Sequence, residues 1–152
     1  MQEIRKITVS MLAENRRHLL PLLEAKAICW RLRRSRKEAA MRKLAFVIPA
    51  YNEEALIGKC LESVVAEVAR SGADAEIIVV NNASTDRTGE IARGFPTVRV
   101  VDEPRKGLVN ARHAGFAASE GFELIANIDS DTIVPPGWLD TVFADIRFRD
   151  MK

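Results

Sequence analysis

The sequence is poor in cysteine and has no long apolar run. Its two cysteines, Cys29 and Cys60, are too few and too far apart for a disulfide framework or a metal knuckle, and they favour a reducing, cytoplasmic compartment. No stretch approaches the roughly 20 apolar residues that a membrane span needs, and residues 1–10 contain no signal-peptide core. No Gly-x-Gly-x-x-Gly follows an apolar run, which argues against a dinucleotide-dependent dehydrogenase.

The sequence also lacks a basic globular part. Its net charge of +2 hides two segments of opposite sign. Residues 1–43 carry 12 Lys and Arg against 4 Asp and Glu, a net charge of +8, whereas residues 44–152 carry 11 against 17, a net charge of −6. An acidic domain has no basic face that could follow phosphates, so we expect no nucleic-acid partner. The length of 152 residues and the apolar content of 47% suit one globular domain.

Residues 1–42 are predicted to form a basic helical leader outside the main domain. Leucines between Leu19 and Leu32 supply apolar surface, and five cations lie between Arg31 and Lys37. One interpretation is an amphipathic helix that touches a membrane surface or a partner protein. A second, which we favour, is a solvated basic helix or a poorly ordered leader, and a third is that translation begins at Met41. We therefore expect residues 1–40 to add nothing to the fold.

From Leu44 onward, apolar runs alternate with helical patterns. The strands are predicted at 44–48, 76–80, 98–101 and 124–128. Helices are predicted after Asn52, which suits an N-cap, after Asp86, over 109–118 and from Trp138. The third of these helices carries small residues on one face, at Ala111, Ala114, Gly115 and Ala118. The alternation predicts an α/β fold with a mostly parallel sheet and flanking helices.

A polar loop follows each predicted strand. The four loops are Tyr51-Asn52-Glu53, 81–86, Arg105-Lys106-Gly107 and Asp129-Ser130-Asp131. Because the carboxyl ends of parallel strands lie on one edge of a sheet, these loops should converge there. The two aspartates would repel unless a cation joined them, and oxygen ligands suit Mg²⁺ or Mn²⁺ together with substrate phosphates. The sequence therefore predicts a metal-dependent cleft for a ligand that carries a base, a ribose and phosphates.

Each feature has a plainer alternative. Asp-x-Asp is often a solvated turn, Asn81-Asn82 suits ordinary turn chemistry, and Lys106 and Arg112 could be solvated charges at the start of a helix. An aspartyl phosphatase fits less well, because its nucleophile normally lies on an early strand.

The motifs in these loops resemble those of family 2 inverting glycosyltransferases of the GT-A fold. The resemblance lies in residues 47–54, 80–88, 106–112, 127–131 and 135–139. It covers residues 43–146 and implies a Rossmann-like GT-A nucleotide-diphospho-sugar transferase fold for residues 43–152. It also implies a glycosyltransferase activity, in which a sugar passes with inversion from a nucleotide-sugar donor, most often UDP-linked, to an acceptor hydroxyl.

The resemblance further implies roles for individual residues. Pro49, Tyr51 and Glu53 flank the base pocket, Asn81 and Asn82 meet uracil and ribose, Lys106 and Arg112 lie near the base and phosphates, Asp129 leans on ribose or sugar, and Asp129 and Asp131 hold the Mn²⁺ or Mg²⁺. The family usually has an acidic residue at one or both positions of the Asn81-Asn82 pair. An amide can accept a hydrogen bond there, but it also donates and carries no charge.

In the family, the segment after Asp-x-Asp builds the acceptor site and supplies the general base. Asp140, Asp145 and Asp150 lie on or beyond the last predicted helix, so no catalytic base is assigned and the fold is expected to be truncated after the motif. The chain is then either a glycosyltransferase of which the donor half is present, for an acceptor that the residues do not indicate, or a catalytically incompetent nucleotide-binding or interaction fragment. At most, slow hydrolysis of a UDP-sugar is expected. The fourth strand should leave an unpaired sheet edge, which favours homo-oligomers.

Overall fold

The computed structural model describes the backbone of residues 43–150 and the side chains of residues 43–146. The predictions for residues 1–42, including the helical leader, its membrane contact and the start at Met41, lie outside the described residues. Within the described part of the chain, no helix is both long and apolar enough to cross a membrane.

Strands and helices alternate along the described chain, as the sequence predicts. The strands are β1 (Leu44–Ala50), β2 (Ala75–Asn81), β3 (Val98–Asp102) and β4 (Leu124–Asn127). The helices are α1 (Ile57–Ser71), α2 (Thr88–Arg93), α3 (Leu108–Ala118) and α4 (Trp138–Asp150). The predicted strand ends are correct to within two residues.

The four strands form one parallel sheet in the order β3-β2-β1-β4. All seven residues of β1 are buried, since β1 has a strand on either side and helices over both faces. Val47 lies opposite Ile78 of β2 and opposite Asn127 of β4. The chain adds β2 and β3 on one side of β1 and then crosses to place β4 on the other. Such a reversal opens a crevice at the carboxyl ends of β1 and β4, where open α/β sheets bind ligands.

The core lies on both faces of the sheet. On the face of Phe46, α1 and α4 bury apolar residues that include Leu61 and Leu139, and the rings of Phe46 and Trp138 lie 5.8 Å apart. On the opposite face, α3 packs closely because Gly115 has no side chain: a Cβ there would collide with Val47 Cγ1. The small-residue face predicted for this helix is thus the face that contacts the sheet.

The predicted start of the first helix is wrong. Asn52 is not its N-cap: α1 begins at Ile57, and its N-cap residue Leu56 makes no side-chain cap bond. Asn52 has a φ of 55° and lies in the left-handed region. Its side-chain Oδ1 accepts a hydrogen bond of 2.8 Å from Thr85 N, which belongs to the next polar loop. A contact between distant residues has therefore taken the oxygen that a local cap would use.

Candidate active site at the carboxyl ends of the strands

A cavity of about 500 Å³ lies at the carboxyl ends of the strands. All four polar loops contribute to it, which confirms their predicted convergence. Of the nine side chains predicted for the site, seven line the cavity: Pro49, Tyr51, Glu53, Asn82, Lys106, Asp129 and Asp131. Sequence reasoning missed Leu108 and Ala111, which line it from the first turn of α3. The sequence signal for Ala111 was present, since it belongs to the small-residue face.

One wall of the cavity pairs an aromatic ring with a cation. Lys106 Nζ donates a hydrogen bond of 2.6 Å to Tyr51 Oη and lies 4.1 Å from the centre of the Tyr51 ring. A cation at this distance from an aromatic face is attracted by the ring quadrupole. Gly107, with a φ of 133°, lets the chain turn into α3 directly after Lys106. The pair therefore presents a flat apolar surface and a positive charge side by side.

Asn82 is buried and holds the loop that carries Lys106. Its Nδ2 donates to the carbonyls of Glu103 and Arg105 at 3.2 and 2.8 Å, and its Oδ1 accepts from Gly107 N at 2.7 Å. The two donors of the amide are thus both used within the protein. Asn82 shapes the cavity by fixing the β3–α3 loop, and its predicted contact with uracil or ribose stays a prediction.

Asn81 and Arg112 do not line the cavity. Asn81 ends β2, and its Nδ2 donates a hydrogen bond of 2.8 Å to Asp102 Oδ1, while its buried Oδ1 has no partner in the described structure. Asn82, the first residue after β2, bonds the β3–α3 loop instead, so the two neighbouring amides have different partners. Arg112 borders the site from α3, with its Nη2 3.9 Å from Asp129 Oδ1.

Two carboxylates extend into the cavity from the turn after β4. Asp129 and Asp131 are exposed and Ser130 between them is buried. Among the described residues, Asp131 forms no ion pair, and no group of three or more His, Cys, Asp or Glu side chains could hold a metal ion. Beneath the turn, Cys60 Sγ donates to the Asp129 carbonyl at 3.8 Å. Burial, and then the charge of Asp131, raises the pKa of the Cys60 thiol to about 11.

This pair of carboxylates fits a particular kind of metal site. Two exposed carboxylates without a third ligand cannot form a closed structural site. They do suit Mg²⁺ or Mn²⁺, which commonly take one or two protein carboxylates and fill the remaining positions with water and substrate phosphates. The residues present therefore fit a metal that arrives with a phosphorylated ligand.

Comparison with known proteins identifies the family. The family model for glycosyl transferase family 2 matches residues 45–150. The chain belongs to glycosyl transferase family 2. Glycosyltransferase GlyA of Streptococcus pneumoniae serotype 4 is 30% identical to it over 108 residues, which are 68% of this chain and 15% of GlyA.

Solved structures of the GT-A fold match this family 2 chain. A structure of glucosyl-3-phosphoglycerate synthase from Mycobacterium tuberculosis, in complex with Mn²⁺, UDP and phosphoglyceric acid, has a TM-score of 0.57 and 30% identity. The match covers 69% of this chain and 38% of that one. Staphylococcus aureus TarS has a TM-score of 0.59 and 25% identity, over 71% of this chain and 33% of its own. The chain thus spans well under half the length of these relatives.

In this family 2 chain, hydrogen bonds join the motif residues of the first two loops. Glu53 N donates to Thr88 Oγ1 at 2.7 Å, and Glu54 N donates to Asp86 Oδ2 at 3.1 Å. Asp86 also accepts from the hydroxyl and the N–H of Thr88. Burial alone would raise the pKa of Asp86, but these hydrogen bonds outweigh it and hold the pKa below its usual value. Asp86 and Thr88 therefore fix the loop that carries Glu53 and do not line the cavity themselves.

Proposed function

We propose that the cavity is a donor site for a nucleotide-diphospho-sugar, UDP-linked and held through Mn²⁺ or Mg²⁺, for inverting transfer of the sugar to an acceptor hydroxyl. The observation that carries the proposal is that one cavity is lined by an aromatic ring, a cation and two carboxylates. The Tyr51–Lys106 pair and the Asp129–Asp131 carboxylates line the same space at the carboxyl ends of the strands. The complex of glucosyl-3-phosphoglycerate synthase with Mn²⁺ and UDP supports this choice of ligand.

Each wall suits a different part of such a donor. Pro49 and the ring of Tyr51 offer an apolar surface against which a planar base can stack, and Glu53 lies beside them. The Lys106 ammonium lies close enough to this surface to meet a phosphate joined to the nucleoside. Asp129 and Asp131, which line the same cavity, would hold the metal. A bound metal supplies positive charge that stabilises the leaving diphosphate.

The charge of the lining makes the metal a requirement for tight binding. Glu53, Asp129 and Asp131 bring three carboxylates to the cavity, and Lys106 is the cation among the residues that line it. A diphosphate brought against these carboxylates alone would be repelled, because like charges at short distance disfavour each other. A divalent ion between the carboxylates and the diphosphate reverses the sign of that interaction.

The proposal is tested by isothermal titration of the protein with UDP, in Mn²⁺ and then in excess chelator. We expect UDP to bind in Mn²⁺ and to bind poorly in chelator. Asp131→Ala should remove the effect of Mn²⁺, whereas Asp74→Ala, at an exposed position before β2, should leave it intact. Equal affinity with and without Mn²⁺ would contradict the metal assignment, and no binding in either condition would contradict the donor site.

A further inference from the structure

Helix α1 carries a stripe of polar side chains on one face. Cys60, Ser63, Glu67 and Arg70 are spaced by three, four and three residues, so they lie in line along the helix. We call these four residues the polar stripe. Because the rest of the buried face of α1 is apolar, the stripe needs partners within the fold.

Outside α1, the described partners of the polar stripe lie in one segment, residues 129–140, which begins at the Asp-x-Asp turn. Cys60 Sγ donates to the Asp129 carbonyl at 3.8 Å, and Ser63 Oγ accepts from Val134 N at 3.0 Å. Further along α1, Glu67 and Arg70 contact residues 137–140, described next. The contacts follow the same order in both partners, so the helix and the segment run side by side.

Glu67 makes the strongest of these contacts. It is 2% exposed, and its carboxylate accepts from Gly137 N at 3.0 Å and from Leu139 N at 2.9 Å. Arg70 donates two further hydrogen bonds to Glu67, of 2.6 and 2.8 Å, and also lies 2.9 Å from Asp140 Oδ2. Burial alone would raise the pKa of Glu67, but the bonds from Arg70, Leu139 and Gly137 outweigh it and lower the pKa. Glu67 is therefore an anion that holds the start of α4 against α1.

The Asp131 carboxylate depends on this backbone for its position. It is exposed and forms no ion pair among the described residues, so its own side chain does not hold it in place. The backbone on either side is held from α1, at Asp129 by Cys60 and at Val134 by Ser63. Groups that orient the ligands of a metal affect its affinity even when they never touch it.

We propose that Glu67, together with Ser63, is a positioning residue that sets the placement of the Asp129 and Asp131 carboxylates in the cavity. The proposal rests on the proposed function, in which these carboxylates hold the metal. It assigns a role in metal affinity to two residues of α1 that do not line the cavity.

The test compares two ligands that use different walls of the cavity. Glu67→Gln keeps the size of the side chain but replaces one carboxylate oxygen by an NH₂ group. This NH₂ group would face one of the two N–H groups, of Gly137 and Leu139, that donate hydrogen bonds to Glu67. In the presence of UDP, the variant should bind Mn²⁺ about tenfold more weakly, as is typical when a supporting partner of a metal ligand is lost. Binding of uridine, which has no phosphate and needs no metal, should be unchanged. Electron paramagnetic resonance of free Mn²⁺ and titration calorimetry give the two affinities.

Two further variants complete the test. Glu62→Gln, at an exposed position on α1, should leave both affinities unchanged. Ser63→Ala removes the acceptor for Val134 N, together with the hydrogen bond of 2.7 Å that Ser63 Oγ donates to the Cys60 carbonyl within α1. It should weaken Mn²⁺ binding in the same direction by a smaller factor. This variant also tests the proposal if Glu67→Gln does not fold. Unchanged Mn²⁺ affinity in the folded Glu67 and Ser63 variants, with only a lower thermal midpoint, would overturn the positioning role. Failure of the wild-type protein to bind Mn²⁺ with UDP would instead overturn the proposed function.

Discussion

Ala83 has a backbone conformation that normally selects glycine. It lies in the turn after β2 with a φ of 55°. A Cβ in the left-handed region costs about 1–2 kcal/mol, and part of this is offset because alanine has less freedom than glycine in the unfolded chain. We expect Ala83→Gly to raise the free energy of unfolding by about 0.5–1 kcal/mol. The thermal midpoint, measured by calorimetry, should rise by about 2–3 °C.

The same substitution elsewhere provides the control. Ala69 is an exposed residue within α1, where φ is helical and glycine brings only extra freedom. Ala69→Gly should lower the free energy of unfolding by about 1 kcal/mol. A fall in both variants would show that the turn at Ala83 stores no strain.

At the residue scale, the sequence predicted the loops that form the site, but it predicted the roles of individual side chains less well. Glu53, Lys106 and Asp131 could be placed in the cavity because each follows a strand at its carboxyl end. Asn81 and Asn82 could not be told apart, although one bonds Asp102 and the other holds the Lys106 loop. The partners of an amide lie about 20 residues away in the chain, and no local pattern reports them.

At the scale of helices and strands, two glycines should respond differently to the same added methyl group. Gly115 of α3 faces β1, and its Cβ would collide with Val47, which is fully buried. We expect Gly115→Ala to lower the free energy of unfolding by about 1–3 kcal/mol through overpacking. Urea unfolding followed by circular dichroism measures the difference.

Gly58 of α1 is the matched position. A Cβ there would lie 3.7 Å from Ile91 Cγ2, an ordinary contact distance. Gly58→Ala should leave stability unchanged or raise it by up to about 1 kcal/mol. An equal loss of unfolding free energy in both variants would mean that the close approach of α3 to the sheet does not cause the destabilisation by Gly115→Ala.

The order of strands and helices was predictable because each has a strong local signal. The apolar runs gave the four strands, and the small-residue face of α3 indicated close packing against the sheet. The start of α1 was not predictable, since Asn52 bonds Thr85 across two loops and Glu53 is held by Thr88. Local capping rules fail where a side chain is drawn into a contact between distant loops.

For the molecule as a whole, acid should be destabilising. The pKa of Glu103 is lowered from 4.5 to about 2, chiefly by the side chain and then the N–H of Arg105. The pKa values of Glu67, Asp86 and Asp102 are lowered as well. Because these groups bind protons more readily in the unfolded chain, their contribution is complete above about pH 4.5 and is lost as the pH falls toward 2.

We therefore expect the urea midpoint to fall steadily between pH 5 and pH 3, because unfolding is accompanied by proton uptake at these carboxyl groups. Glu103→Gln should be less stable than the wild type at neutral pH and should show a shallower fall, because its side chain no longer titrates. A midpoint that stays constant or rises over this range would contradict the assigned hydrogen bonds.

The sequence alone predicted an α/β molecule with one site at the carboxyl ends of the strands. The exact strand order, with β4 beside β1, was not apparent from local patterns because it depends on which strands meet in space. In the described sheet β4 lies at one end, next to β1. The expected formation of homo-oligomers through the outer edge of β4 stays a prediction.

The central claim is that a nucleotide diphosphate and a metal bind together at the carboxyl ends of the strands. Nuclear magnetic resonance locates them most directly, because bound Mn²⁺ broadens the signals of nearby amides. With UDP and substoichiometric Mn²⁺, we expect the amide signals of residues 129–132 to broaden first, followed by that of Gly107. The signals of residues 72–74, at the opposite ends of the strands, should keep their widths. Broadening centred on residues 72–74, or none that depends on UDP, would contradict the account.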